Sequence, residues 1–274
     1  VMRVGIIGAG NMATAILSGI AGTHKSASIC CSDISQKQLS KIKTTNKVKT
    51  TKDNTVAIKK STIVFLCVKP NIIEKVAKEI RPFLKPSQIV ISVAAGVTMK
   101  SLEASLGKNR KIIRTMPNLP CLIRKGVVAV MANKNCTPKD KKMAEKLISS
   151  IGKLVSLRRE RDFDCITALS GSGPAFFAQY IRSNLEFAKS KKINSKEARL
   201  LVFETLSGTL EFLQHTRIEL KDFISMVASP GGTTEEGLKT LKNRNYNKIV
   251  RSCLEAAAEK SSKISAGTKL GEKK

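Results

Sequence analysis

The 274-residue chain has no tryptophan, only 4% aromatic residues and two histidines. Its hydrophobic share of 42% is therefore aliphatic, and any core must be built from Ile, Leu, Val and Ala. The histidines stand at 24 and 215, with no metal-like spacing around either, which argues against a histidine-based hydrolase. Cysteines are few and scattered, at 30, 31, 67, 121, 136, 165 and 253, with no C-x-x-C pair. Adjacent Cys30 and Cys31 would point to opposite faces of a strand. That pattern excludes a disulfide framework and a zinc site, and points to reduced thiols in the cytoplasm. Long apolar runs are missing too. The longest, such as Ile89 to Val97, fall far short of the ~20 residues of a membrane span. A first strand beginning by residue 3 leaves no room for a signal peptide. Acidic residues are scarce, 21 against 49 basic, giving a net charge of +28. The lysines come as singles or pairs, with no basic block and no interleaved aromatic ladder, so a nucleic-acid or membrane partner is not expected. The charge reads as a solvated, lysine-biased surface whose field attracts anionic cofactors and carboxylates.

What the chain does have is alternation. Short β-rich runs at Arg3–Ile7, Ser28–Asp33, Thr62–Val68, Ile89–Val93, Lys111–Thr115 and Val127–Ala132 are separated by helical patterns near 11–22, 71–84, 98–106 and 138–150. Such alternation predicts βαβ units and a mostly parallel sheet. After about residue 158 the pattern changes. Leu200, Leu201, Phe203, Leu206, Leu210 and Leu213 recur at helical spacing, and Asn247 to Lys274 reads as a helix with a basic, frayed end. The expected fold is an α/β Rossmann-like N-terminal domain over 1–158, followed by an all-α C-terminal domain over 159–274.

The first strand runs straight into Gly8-Ala9-Gly10-Asn11-Met12-Ala13, a G-x-G-x-x-A turn that opens a helix. Gly8 permits a tight turn, Gly10 lets backbone approach a pyrophosphate, and Ala13 lets helix and strand pack closely. The helix start offers free N–H groups and the positive end of its dipole to phosphates. Ile7 to Met12 are therefore expected to bind a nicotinamide dinucleotide. Asp33, at the end of the second strand, can accept hydrogen bonds from ribose hydroxyls and repel a 2′-phosphate, which favours NADH. Lys37 is the competing signal for NADPH, and an ordinary helix N-cap is the plain alternative for Asp33. Two later strand ends, Cys67-Val68-Lys69-Pro70 and Val93-Ala94-Ala95-Gly96, should also face the cofactor.

Two further segments, Leu169 to Ala175 (LSGSGPA) and Ser229 to Thr234 (SPGGTT), are small-residue loops that open predicted helices. Either can present backbone N–H groups to an anion; either alone is better read as capping and close packing. Together with GAGNMA at 8–13, VKP at 68–70, SVAAGVT at 92–98, MPNLP at 116–120 and TALSGSGPA at 167–175, SPGGTT carries a resemblance. From Val4 to about residue 265 the chain resembles pyrroline-5-carboxylate reductase. The resemblance implies helical domains that interlock as a homodimer or larger homo-oligomer. It also implies hydride transfer from NAD(P)H to the imine carbon of 1-pyrroline-5-carboxylate, giving L-proline. It places Asn54 with the cofactor, the substrate on Ser229, Gly231, Gly232, Thr233 and Thr234, and the Thr234 hydroxyl on the imine nitrogen. The loop amides suit the substrate carboxylate. A threonine hydroxyl is too weak an acid for conventional general acid catalysis, so its expected role is orientation and proton relay from water.

The chain departs from the family at three positions. Arg182 stands where Glu is usual, Glu204 where Gln is usual, and Ser225 near where an Asp is usual, just before SPGG. Two other readings compete. A 3-hydroxyacid dehydrogenase needs a catalytic lysine on the helix after the interdomain glycines, where this chain offers Gln179 and Arg182 and no lysine before Lys189. A non-catalytic nucleotide- or nucleic-acid-binding protein would use the +28 charge but has no need of SPGGTT.

Overall fold

The computed structural model describes residues 2–24, 26–45 and 48–267, so the expected basic end of the last helix lies outside the described residues. The elements in chain order are β1 (Arg3–Ile7), α1 (Asn11–Thr23), β2 (Ser28–Ser32), α2 (Gln36–Thr45), β3 (Lys49–Thr51), α3 (Asn54–Lys59) and β4 (Ile63–Leu66). They continue with α4 (Ile73–Ile80), β5 (Ile89–Ser92), α5 (Met99–Leu106), β6 (Lys111–Pro117), β7 (Gly126–Ala132), α6 (Pro138–Ile148) and β8 (Gly152–Ser156). The rest is helical: α7 (Asp162–Ile166), α8 (Gly173–Ser190), α9 (Ser195–Thr216), α10 (Leu220–Val227), α11 (Thr233–Asn243) and α12 (Tyr246–Gly267).

The strands form one sheet in the order β3-β2-β1-β4-β5-β6-β7-β8. All pairs are parallel except β6 with β7. Period-2 alternation decides which face each side chain enters. In β4, Ile63 and Phe65 join a cluster with Leu17 and Ile20 of α1 and Leu147 of α6. Val64 and Leu66 join a second cluster with Ile80 of α4 and Leu102 of α5. Both faces are covered, which is why the run reads as continuously apolar. Each of these fully buried side chains contributes about 2 kcal/mol of transfer free energy.

The chain separates into two compact units, one of residues 1–172 with 257–274 and one of residues 173–256. The sheet unit takes in α7 and the turn after it, through Ser172. The last turns of α12 also group with the sheet unit. The helical unit is different in kind. Among its described residues only Gly173, Ala188 and Ala198 are buried, while Phe177, Phe187, Leu200 and Met226 are each at least 60% exposed.

The expected helix 71–84 is shorter, since α4 is flanked by 3₁₀ turns at Pro70–Ile72 and Arg81–Phe83, each begun by a proline within its first two positions.

Candidate active site

The candidate nucleotide residues lie at the carboxyl edge of the sheet. β1, β2, β4 and β5 are parallel neighbours, so their exits share one edge, and the chain order reverses between β1 and β4. A crevice at such a switch point is where open α/β sheets bind ligands. The structure brings Ile7 to Met12, Asp33, Cys67 to Pro70 and Ala94 to Gly96 to that edge.

Gly8 adopts φ +96° and donates its N–H to the Ser32 carbonyl at 2.8 Å. A Cβ there would stand 2.5 Å from the Cys67 carbonyl oxygen, so the turn needs glycine for both backbone and space. Gly10 differs. It is the N-cap of α1, no side chain caps the helix, and a Cβ would meet nothing within 4 Å. Open space before the uncapped start of a 13-residue helix fits a pyrophosphate. Asn11 and Met12 form the first positions of that helix. Ala13 is fully buried, as close packing requires.

Asp33 is engaged at both oxygens. Oδ2 accepts the Ala9 N–H at 2.7 Å, and Oδ1 accepts the Ser35 N–H at 2.7 Å. The plain N-cap alternative does not hold, because Ser35 Oγ is the atom that accepts from Gln38 N–H at the start of α2. Asp33 instead braces the glycine turn through the Ala9 amide. Asn54 begins α3, which Asp53 caps. Its amide is spanned by two partners, with Oδ1 accepting from the Ser32 hydroxyl at 2.7 Å and Nδ2 donating to the Glu79 carboxylate at 3.1 Å. Cys67 donates its N–H to the Ile7 carbonyl at 2.7 Å. Burial, followed by neighbouring Cys31, pushes the Cys67 thiol well up. Burial likewise pushes Cys31 up to about 12. Both sulfurs are thus held as thiols, the form with little nucleophilic character. Val68 and Lys69 lead into the 3₁₀ turn that Pro70 starts. Ala94 is buried, and Gly96 turns with φ +74°.

The SPGGTT loop lies in the helical unit, between α10 and α11. Gly231 adopts φ +70°, which makes glycine necessary, and Gly232 donates its N–H to the Ser229 carbonyl at 3.0 Å. Gly232 is the N-cap of α11 and no side chain caps the helix. Thr233 and Thr234 are its first two residues, so their amides stand at the positive end of the dipole. Glu235 accepts the Gly231 N–H at 2.7 Å and leans toward Lys239 at 3.5 Å, which ties down the loop behind those amides.

The other small-residue loop is not an anion cradle. Thr167–Ser172 is a π-helical turn between α7 and α8, so no free helix start exists there. A π turn often marks a site under functional constraint. It carries hydroxyl bonds from Thr167 to the Phe163 carbonyl and from Ser170 to the Ile166 carbonyl.

Sequence reasoning missed one cluster. Glu160 Oε1 accepts from Arg114 Nη1 at 2.6 Å and from the Met99 N–H at 2.5 Å, and the Arg114 guanidinium lies 4.0 Å over the Phe163 ring. The available signal was an arginine inside an apolar strand, which must find a partner when buried. At the departures, Arg182 forms an exposed ion pair with Glu186 at 3.4 Å, and Ser225 Oγ donates to the Lys221 carbonyl. Arg182 therefore has a compensating partner on its own helix. Among the described residues no group of three or more His, Cys, Asp or Glu is placed to hold a metal, and no helix is long and apolar enough to cross a membrane.

Residues 160–264 match the family described as pyrroline-5-carboxylate reductase dimerisation, and residues 3–96 match that of NADP oxidoreductase coenzyme F420-dependent. A pyrroline-5-carboxylate reductase of Pseudomonas aeruginosa is 32% identical over 96% of this chain and 96% of its own length. The solved structure of a pyrroline-5-carboxylate reductase from Coxiella burnetii has a TM-score of 0.88 at 31% identity, covering 96% of this chain and 98% of that one. A Plasmodium falciparum pyrroline carboxylate reductase, solved with NADP bound, has a TM-score of 0.87 at 28% identity with the same coverage. The uncapped starts of α1 and α11, joined to this similarity along the whole length, place the chain in the pyrroline-5-carboxylate reductase family.

Proposed function

We propose that the chain reduces 1-pyrroline-5-carboxylate to L-proline with NAD(P)H, the final step of proline biosynthesis. It does so as an NAD(P)H-dependent oxidoreductase, in a homodimer or larger homo-oligomer. The observation that carries the reading is the SPGGTT loop: an α11 start with no side-chain cap, held open by Gly231 and braced by Glu235. Such a start takes one carboxylate on the Thr233 and Thr234 amides. The cofactor, held at the glycine turn, supplies the hydride. The imine carbon gains that hydride and the imine nitrogen gains a proton, leaving a secondary amine and the oxidised cofactor. The Thr234 hydroxyl hydrogen-bonds the nitrogen and relays the proton from water. Ser229 and Gly232 shape the loop, and Gly8 and Gly10 let the pyrophosphate reach the start of α1. Most of the acceleration then comes from positioning donor and acceptor.

The cofactor-binding set is Ile7 to Met12, Asp33, Asn54, Cys67 to Pro70 and Ala94 to Gly96. Asp33 supports a preference for NADH over NADPH. Functionally the chain divides into an NAD(P)-binding domain over 1–158 and a helical substrate and dimerisation domain over 159–274; the dimerisation family match beginning at residue 160 supports that line. Seven free thiols support the cytoplasm as its compartment. A hydroxyacid dehydrogenase is not favoured, since α8 offers Gln179 and the ion-paired Arg182 where that chemistry needs a lysine. The test is label transfer. Cofactor carrying two deuteriums at C4 should deliver one of them to C5 of the proline formed, and proline without label would exclude direct hydride transfer.

A further inference from the structure

The end of α12 belongs with the sheet unit, and it is fixed there by name-able contacts. Ser261 is buried, and its hydroxyl donates to Asp164 Oδ1 of α7 at 2.7 Å. One turn on, Ile264 faces Gly96. A Cβ built on Gly96 would lie 2.6 Å from Ile264 Cγ2, so the isoleucine occupies the space that this glycine leaves. Gly96 is also at φ +74°, where a side chain would be strained.

From Val97 onward the same loop is fixed by other groups. Val97 is fully buried in the core beneath α4 and α5, Thr98 caps α5, and the Met99 amide is bonded to Glu160. Ala94 is buried in that same core. Between them, Gly96 has Ile264 as its cover. The space that Gly96 leaves is used by the chain's own last helix.

We propose that Ile264 is a positioning residue for the cofactor: by seating on Gly96 it holds the loop after β5 in the shape that lines the nucleotide crevice. Ser261 and Asp164 anchor the helix turn that carries it. The proposal rests on the cofactor site assigned above, so its test reads binding as well as turnover.

The experiment is a double-variant cycle on the full chain, with NADH and NADPH affinity read from cofactor fluorescence. Ile264→Ala should weaken cofactor binding several-fold, raise KM for NAD(P)H and leave KM for pyrroline-5-carboxylate unchanged. Its melting temperature should hardly move, because the side chain is half-exposed. Gly96→Ala should weaken binding further, by about tenfold or more, the scale of couplings between touching residues. Adding Ile264→Ala to Gly96→Ala should recover part of that loss, since the clash is with the tip of the isoleucine. The unrecovered part is the strain at positive φ. Equal cofactor affinity of the wild type and Ile264→Ala would overturn the proposal. So would a Gly96→Ala defect that Ile264→Ala leaves untouched. If the unaltered chain bound neither cofactor, the site assignment itself would fail. That outcome is distinct from a chain that binds normally but ignores Ile264.

Discussion

Gly8 and Gly10 sit two residues apart and are glycines for different reasons. Gly8 faces the Cys67 carbonyl at positive φ; Gly10 faces open space at φ −79°. Gly8→Ala should therefore lower stability by about 1–3 kcal/mol, the range for strained backbone. Gly10→Ala should leave the melting temperature nearly unchanged yet weaken NAD(P)H binding. Calorimetry beside a binding titration checks the pair, and equal losses in both properties would contradict the distinction. Asp33→Ala should shift preference toward NADPH. It should also weaken both cofactors, because the Ala9 amide loses its acceptor. An unchanged NADH/NADPH ratio of kcat/KM would show that Asp33 braces the turn without reading the ribose. Thr234→Ala should cut kcat by about 10- to 100-fold, the low end for a positioned proton-transfer group, with cofactor affinity intact. At this scale the sequence was informative where a motif has one geometry. GAGNMA and SPGGTT each announce a glycine turn before a helix. It was silent on Asn54's partners, on Glu160 beneath Arg114 and on Ile264 over Gly96. Those contacts join residues 22 or more positions apart, and no spacing rule reports them.

Single elements show the same division. β4 and β5 were readable because both faces are buried, which leaves an unbroken apolar run. β3 and β8 were not: they are the two edges of the sheet, and no residue of either is buried. LSGSGPA was misread as a helix start because a π turn keeps the small residues and polar groups of a loop while the helix continues. α6 offers a clean test of local stability. Thr137 and Asp140 form a capping box, and Asp140 also bonds Lys111 Nζ at 2.9 Å. Burial raises the Asp140 carboxyl, but the hydrogen bonds from Lys111 and Thr137 outweigh it and hold the carboxyl below the usual range. A depressed folded value means the contribution is complete above the unfolded value, near ~4, and is lost as pH falls through the folded one. Thr137→Ala should cost about 1 kcal/mol. Asp140→Asn should flatten the fall of melting temperature below pH ~4 relative to the wild type. A parallel fall in both proteins would remove Asp140 from the acid response.

For the whole molecule, the two units pose different problems. The sheet unit has two buried cores, whereas the helical unit leaves Phe177, Phe187, Leu200 and Leu210 exposed along α8 and α9. Apolar surface on that scale calls for a partner, and residues 160–264 match a dimerisation family. The melting temperature should therefore rise with protein concentration, and sedimentation at micromolar concentration should find no monomer. A concentration-independent monomer would contradict the homo-oligomer. The net charge of +28 should act through the field alone. Raising ionic strength should increase KM for both anionic substrates, with kcat little changed. The proposed reduction needs the α1 start to take a dinucleotide and the α11 start to take a carboxylate. Steady-state oxidation of NADH and of NADPH, with and without 1-pyrroline-5-carboxylate, tests it most directly. The account predicts oxidation that depends on the imine, yields L-proline stoichiometrically and runs faster with NADH; no imine-dependent oxidation of either cofactor across neutral pH would contradict it.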